Sequence, residues 1–428
     1  MSHKHHTILP LYKRNEISKK NFQDSCKFSF RIPAIHNFDH RLQIGTHSIE
    51  PKVMKPKFKP MSTLPSNMNL NPSVKKGLAV TVIICLILAS CLALLHVGKG
   101  NESSGPLTST IFDIYEEDRM VHFNYESDYM FDEYLKKGSV YSQGLTDYLA
   151  DNITVGKSIH IHKNQFCSAL MVEKETGDGF YTGRNFDYFY SEPAIVHTSP
   201  EGSYSSVSIV DMSMAGDIGE SIDDRAKNTV YNALPYIPLD GVNEKGVFAC
   251  INVVHNADPI NESESIKTPI FITSAIRLIL DNASTTQEAV DLVMGYNLNY
   301  EVNCHLFVCD RSGDSRSIEV VDNRTVVTPT EIMTNHYITV EGADTPISES
   351  SRERYDTLEA ALESKPAMSE DDVKAALISV QQTDSDRMHF TRWSSVYNLD
   401  SCSAVVWIVS PQNEEGEMDY DTPHRFSI

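Results

Sequence analysis

Between Cys167 and Asp187 the chain reads CSALMVEKETGDGFYTGRNFD, two β-like runs separated by Thr176, Gly177, Asp178 and Gly179. Glycine and aspartate supply the positive φ and the local hydrogen bonds that tight hairpin turns need. A chain folded back about Gly177 sets position 167 opposite position 187, which would bring the Asp187 carboxylate beside the Cys167 thiol with Arg184 one step away. A guanidinium beside a thiol shifts it toward thiolate, the reactive form, so the segment has the parts of a nucleophilic site. Elsewhere no Cys/His group has zinc-ligand spacing and no phosphate-cradling glycine loop occurs, so neither a metal nor another cofactor is expected.

The elements that would position these residues follow from pattern. From Phe166 onward the texture is short β-rich runs: CSALMVEK, GFYTGRNF, SSVSIVDM, GVFACINVV, CHLFVCD, SIEVVD and AVVWIVS. Helical pattern appears at FITSAIRLILD, TTQEAVDLVMGY, SRERYDTLEAALE and MSEDDVKAALISV, where Ser or Thr followed by acids marks plausible starts. Strands cluster at both ends and helices fill the middle and late portion, an order that fits two antiparallel sheets covered by helices, an α+β layered sandwich. Upstream, an acidic, aromatic stretch from Ile111 to Asp132 leads into the helix-like DEYLKKGSVYSQGLTDYLADNI and the polar GKSIHIHKNQ. No internal repeat recurs at a fixed period.

Charge divides the chain. Residues 1–76 hold 14 Lys+Arg against four acids, a net of +10, whereas residues 100–428 hold 22 basic against 54 acidic groups, a net of −32. Between them lies GLAVTVIICLILASCLALLHVG, 22 uncharged and largely apolar residues at 77–98. As a helix these span roughly 30 Å, the thickness of a bilayer core. Lys75 and Lys76 place the N-terminus on the cytoplasmic side and the acidic bulk outside. The reading is a single-pass signal anchor, with ordinary signal cleavage as one alternative. Lipoprotein processing at Cys91, after Leu88-Ala89-Ser90, is another. The acidic bulk repels phosphates, which argues against nucleic acid as a partner. His3, His5 and His6 read as an accident of a disordered leader. Cys250, Cys304, Cys309 and Cys402 sit in or beside apolar runs and read as small buried hydrophobes, with no disulfide framework spacing.

The segment CSALMVEKETGDGFYTGRNFDY resembles the opening of the choloylglycine hydrolase family of linear-amide C-N hydrolases, which includes penicillin V acylases and bile salt hydrolases. In that family a Cys begins the mature chain and a G-R-N-x-D motif follows, here Gly183 to Asp187. Further matches come in order: LDGVNEKGVFACIN at 239–252, CHLFVCDRSGDSRSIEV at 304–320, MTNHYIT at 333–339, SRERYDTLEAAL at 351–362 and TRWSSVYNL at 391–399. The resemblance covers essentially 167–410, and part of 110–166 is similar to the propeptide of longer relatives. It implies a four-layer αββα N-terminal-nucleophile hydrolase sandwich, here preceded by a single membrane-spanning helix. The implied organisation is a basic leader at 1–76, a signal anchor at 77–98, a linker at 99–109, a propeptide at 110–166 and a catalytic domain at 167–428.

Carried over residue by residue, the resemblance makes Cys167 the nucleophile, with its own α-amine as general base once the bond after Phe166 is cut. Asp187 would hold that amine, and Arg184 would favour the thiolate and orient substrate. Asn252 and Asn335 would donate to the oxyanion, a role worth about 2.7–4 kcal/mol per donor in a transition state. Arg392 matches the late active-site arginine. Each residue also has a purely structural use: Arg184 as a buried ion-pair partner of Asp187, Asn252 and Asn335 as caps of backbone groups at strand ends, Arg392 on a solvated face. Gly183 reads as a point of close backbone approach, and Asn243-Glu244-Lys245-Gly246 as a turn.

The expected activity is hydrolysis of a linear amide in a small acylated molecule, by an enzyme that cuts itself before Cys167. Acyl transfer by the same fold and a membrane-tethered binding protein without chemistry are the alternatives, and the intact set of Cys167, Arg184, Asp187, Asn252 and Asn335 argues against the last. Relatives of this fold often assemble, so a homo-oligomer is an open expectation. The segments 197–236 and 253–268 are candidate specificity loops that name no substrate.

Overall fold

Two seven-residue strands, Val247–Val253 and Cys304–Asp310, are buried along their whole length. Continuous burial of this kind requires cover on both faces of a sheet. The computed structural model describes residues 105–117, 120–163, 166–188, 190–217, 219–261, 266–339, 346–383, 390–408 and 422–428, all within the unit Gly98–Ile428. The basic leader, the 77–98 span and Cys91 lie outside the described residues. Among the described residues no helix is long and apolar enough to cross a membrane.

The two strands sit side by side in a nine-stranded sheet. Its order is Asp113–Glu117, Met120–Tyr125, Pro193–Thr198, Ser206–Asp211, Asp240–Asn243, Val247–Val253, Cys304–Asp310, Ser315–Val321 and Arg324–Pro329. The second sheet runs Ile332–Met333, Phe166–Lys174, Phe180–Tyr188, Phe390–Asn398, Ser403–Ile408 and His424–Ser427, with Ala367–Met368 pairing alongside Phe166–Lys174. Neighbours are antiparallel except where Met120–Tyr125 meets Pro193–Thr198 and where Ala367–Met368 joins.

The sheets face each other where Phe166–Lys174 packs on Val247–Val253. Helix Ile272–Asn282 covers the first sheet over the 240–253 strands, and Thr286–Met294 covers Cys304–Asp310 and Ser315–Val321. Helices Glu349–Ser364 and Glu370–Ser379 cover the second sheet. Sheet on sheet with helices outside is the mixed α/β layering that the strand and helix pattern anticipates. Between the sheets lies one large core in which Phe186 and Trp393 stack at 4.0 Å, and a smaller core of Leu170, Val172, Leu358, Val373 and Leu377 joins the second sheet to its helices.

Two features were not expected from pattern. The acidic stretch before Asp132 supplies the outer strands Asp113–Glu117 and Met120–Tyr125 of the first sheet, with Phe123 and Tyr125 wholly buried. The boundary at 166/167 therefore falls inside a strand, and residues upstream of it share the core of those downstream. The helix-like run 132–153 breaks in two, Phe131–Lys137 and Tyr141–Asn152, at Gly138, whose φ of 72° and whose approach to the Pro269 carbonyl exclude a side chain.

Gly183 does serve close approach: a Cβ there would stand 2.8 Å from Val373 Cγ1 and 3.2 Å from Leu377 Cδ1 on the covering helix. Gly183→Ala is expected to destabilise the fold by about 1–3 kcal/mol through overpacking, measured as a lowered urea midpoint with unchanged slope. An unaltered midpoint would mean that the helix yields freely.

Candidate active site

The predicted hairpin forms, but its register is displaced by one residue. Strands Phe166–Lys174 and Phe180–Tyr188 are joined by residues 175–179, with Gly177 and Gly179 at φ 70° and 137°. Lys174 N donates to the Gly179 carbonyl at 2.9 Å, which centres the turn between Thr176 and Gly177. Cys167 therefore faces Phe186, and Asp187 faces Phe166. Side chains alternate along a strand, so a slip of one position reverses faces. The thiol and Arg184 point between the sheets, whereas Asp187, like Asn185 with its 2.8 Å bond to the Leu377 carbonyl, points toward the covering helices.

Arg184 is fully buried and gathers the inter-sheet half of the site. Its Nη2 donates to Cys167 Sγ at 3.3 Å and to the Ile251 carbonyl at 2.8 Å. Its Nη1 pairs with Asp240 Oδ2, and Tyr397 Oη donates to the other oxygen of Asp240. The ion-pair partner of Arg184 is thus Asp240 and not Asp187. Burial works against the charge on Arg184, but Cys167 and Asp240 outweigh it and raise its pKa. For the thiol the balance is reversed. Burial pushes Cys167 up to about 11, against the pull of Arg184 and with a further push from Asp187. Desolvation outweighs Arg184 at the thiol, the opposite of the shift toward thiolate that the sequence suggested.

The helix-side half is organised by Arg354, on helix Glu349–Ser364. Its Nη1 donates to the Cys167 carbonyl and to Ser168 Oγ, both at 2.7 Å, and its Nη2 to Asn335 Oδ1 at 2.7 Å. Asn335 Oδ1 also accepts the Cys167 backbone N–H at 3.1 Å, so the nitrogen that would become the α-amine is already held. Asp187 is wholly buried. Its Oδ1 accepts from Thr391 Oγ1 at 2.6 Å, and its Oδ2 has no hydrogen-bond partner. Burial raises Asp187 to about 6, with Arg354, Thr391 and Arg184 opposing.

The two asparagines cap backbone in this state. Asn252 Nδ2 donates to the Met333 and Thr334 carbonyls at 3.2 and 3.1 Å, and its Oδ1 is buried without a partner. Asn335 Nδ2 donates to the Val253 carbonyl at 2.8 Å. Arg392 stands apart from this cluster. It is the extra residue of a β-bulge, since Thr391 pairs with Asp187 and Trp393 with Phe186. It is neither paired with the thiol nor on a solvated face: half-buried, it gives Nε to the Tyr188 carbonyl at 2.6 Å and lies over the Phe390 ring at 5.3 Å. Cys250, Cys304, Cys309 and Cys402 are buried free thiols. Among the described residues no three His, Cys, Asp or Glu side chains converge as a metal-ligand group.

Reasoning from sequence assigned no role to Arg354, Asp240 or Thr391. A signal for the first exists: Ser351, Arg354 and Leu358 share the buried face of their helix at three- and four-residue spacing, and a charged residue on such a face needs buried partners. Asp240 sits in the quoted LDGVNEKG run, but nothing there distinguishes it from a turn residue.

Asp187 carries a stability cost whose sign follows from its raised pKa. The fold favours the protonated carboxyl, so that contribution is present below the ordinary carboxylate range and is lost as pH rises through about 6. In a Cys167→Ala chain, Asp187→Asn is expected to raise stability by about 2–3 kcal/mol at pH 8 and by nothing at pH 4, read by urea unfolding at both pH values. Equal gains at both would show that the carboxyl is not the source.

Residues 234–420 match the sequence model of the family described as acyl-coenzyme A:6-aminopenicillanic acid acyl-transferase. Similar solved structures include two variants of conjugated bile acid hydrolase from Clostridium perfringens. They are 13% and 12% identical, with TM-scores of 0.45 and 0.43, over 61% of this chain and 92% of theirs. Penicillin V acylase from Agrobacterium tumefaciens is 16% identical, with a TM-score of 0.38, over 61% of this chain and 91% of its own. No curated protein matches the chain. The matched residues contain Asp240, Asn252, Asn335, Arg354 and Thr391, and over this stretch the chain is similar to the penicillin acyltransferase and choloylglycine hydrolase-like family.

Proposed function

We propose that this chain is a cysteine amide hydrolase of the N-terminal-nucleophile kind, acting on a linear amide of a small acylated molecule after cleavage before Cys167. The observation that carries the reading is the grip on one residue from both faces of a sheet: Arg184 on the Cys167 thiol, Asn335 and Arg354 on its backbone. A core cysteine kept only for packing has no use for two buried arginines.

The chemistry follows in two stages. In the first, the Cys167 thiol adds to the Phe166 carbonyl, the C–N bond breaks, the acyl group passes to sulfur, and the freed nitrogen takes the thiol proton. Water then hydrolyses the thioester, leaving a carboxylate at Phe166 and an α-amine at Cys167. In the second, that amine accepts the thiol proton as the thiolate attacks a substrate amide and returns it to the leaving amine; water, deprotonated by the same amine, then cleaves the acyl thioester, releasing the acid and restoring the thiol. Asp187 Oδ2, buried and unpartnered across from Phe166, is suited to hold the new ammonium. Asn252 and Asn335 must exchange their present carbonyl partners to serve as oxyanion donors.

Acyl transfer to an amine, in place of water, is a second reading favoured by the acyl-transferase description of the matched family. Adding an amine acceptor to the assay separates the two: a new amide product at the expense of free acid supports transfer, and free acid alone supports hydrolysis.

Because residues 113–125 are strands of the first sheet, cleavage at 166/167 would not free the upstream piece. Anchorage through 77–98, outside the described residues, would then hold the catalytic part at a membrane through its own sheet. Intact mass and N-terminal sequencing of the full-length chain should give a new terminus at Cys167, with both fragments co-eluting natively and separating in denaturant. Cys167→Ala should stay uncut and inactive; an uncut wild-type chain with full activity would sink the proposal.

A further inference from the structure

The run CHLFVCDRSGDSRSIEV holds two buried groups that the chemistry above does not use. His305 and Glu319 are both fully buried, with His305 Nδ1 3.0 Å from Glu319 Oε1. They lie across from each other, one step beyond the paired Leu306 and Ile318 of adjacent strands. The other ring nitrogen, Nε2, is 3.0 Å from the Thr334 carbonyl oxygen. Glu319 receives two backbone donors as well, Ile338 N on Oε1 at 2.7 Å and Thr339 N on Oε2 at 2.8 Å.

A carbonyl oxygen only accepts, so Nε2 donates to Thr334. Nδ1 and Glu319 Oε1 share a proton between them, and every polar atom of the ring and the carboxyl has a partner. Such a buried pair is seldom the cheapest way to fill a core, since apolar residues of similar volume often do it as well or better, and a role beyond filling is indicated.

That role is visible in what the pair touches. The Thr334 carbonyl is held from two sides, by His305 Nε2 and by Asn252 Nδ2 at 3.1 Å, and Asn252 faces His305 in the strand register. The next residue, Asn335, binds the Cys167 nitrogen. Glu319 meanwhile holds the backbone of 338 and 339, beyond Asn335 on the other side. The segment that carries Asn335 is thus pinned before and after it by one hydrogen-bonded pair.

We propose that His305 and Glu319 are positioning residues, a buried hydrogen-bonded pair that sets the Thr334–Asn335 backbone and so aligns the Cys167 nitrogen for the reaction; this rests on Cys167 being the nucleophile. The test uses the full-length chain with His305→Gln, Glu319→Gln and the apolar double variant His305→Leu/Glu319→Leu. The rate of cleavage at 166/167 is measured, then kcat and KM per titrated Cys167 thiol, and histidine ring 15N spectra record the state of His305. Wild type should show a proton on Nε2 at neutral pH. Each single variant should lose about a hundredfold in cleavage and in kcat, as expected when a reacting group is misplaced by about 1 Å, with KM changed by no more than about threefold. The double variant should regain stability but not rate. A ring without a proton on Nε2, or a double variant restored in rate, would overturn the proposal. A wild-type chain that neither cuts itself nor turns over an amide would instead sink the Cys167 reading, and this one with it.

Discussion

The buried pair of Arg184 and Asp240 is the interaction on which the site depends. Arg184 belongs to one sheet and Asp240 to the other, and the guanidinium also reaches the Ile251 carbonyl and the Cys167 thiol. A lone guanidinium could not be held at zero exposure, and a lone carboxylate could not either. The pair therefore fixes the sheet spacing where the thiol sits. Tyr397, on the strand Phe390–Asn398 beside the hairpin, donates to the remaining oxygen of Asp240 and completes the arrangement. Loss of Asp240 alone would leave the guanidinium to the thiol, gaining reactivity at a heavy cost in folding.

Around that pair the site is divided by the sheet itself. The inter-sheet face holds sulfur, and the helix face holds Asp187, Ser168 and the contacts of Arg354. Residue 167 is held from both, its thiol by Arg184 and its backbone by Arg354 and Asn335. This geometry explains why two arginines meet at one residue, Arg184 and Arg354, where the sequence named Arg184 and Arg392. Arg184 addresses the thiol, and Arg354 addresses the carbonyl and, through Asn335, the nitrogen.

Much of this was legible in the residues. The hairpin, the β-rich runs, the four later helices and the identity of Cys167, Arg184 and Asp187 as neighbours all follow from period, turn chemistry and spacing. What failed did so for specific physical reasons. The hairpin centre is set by the Lys174–Gly179 bond, and a half-residue shift there moves Asp187 to the face opposite Cys167 and brings Arg184 onto the thiol's face. Arg392 fits by order along the chain, but a bulge turns it out of the ladder and leaves Thr391 opposite Asp187. The Asp113–Glu117 strand reads only as part of an acidic, aromatic stretch because it is an exposed edge, where burial imposes no alternation. Its neighbour Met120–Tyr125 joins by a parallel pairing across a long sequence gap, which no local pattern encodes.

The uncut state also has an electrostatic logic. Burial raises both of its titratable groups, the thiol to about 11 and Asp187 to about 6. At neutral pH the thiol keeps its proton, whereas Asp187 is largely ionised beside Arg354. A positive charge appearing at the Cys167 nitrogen would change both at once, lowering Asp187 toward an ordinary carboxylate and stabilising thiolate one residue's width away. Cleavage before Cys167 would thus do more than expose a base. It would set a cation beside the buried Asp187 oxygen that has no hydrogen-bond partner.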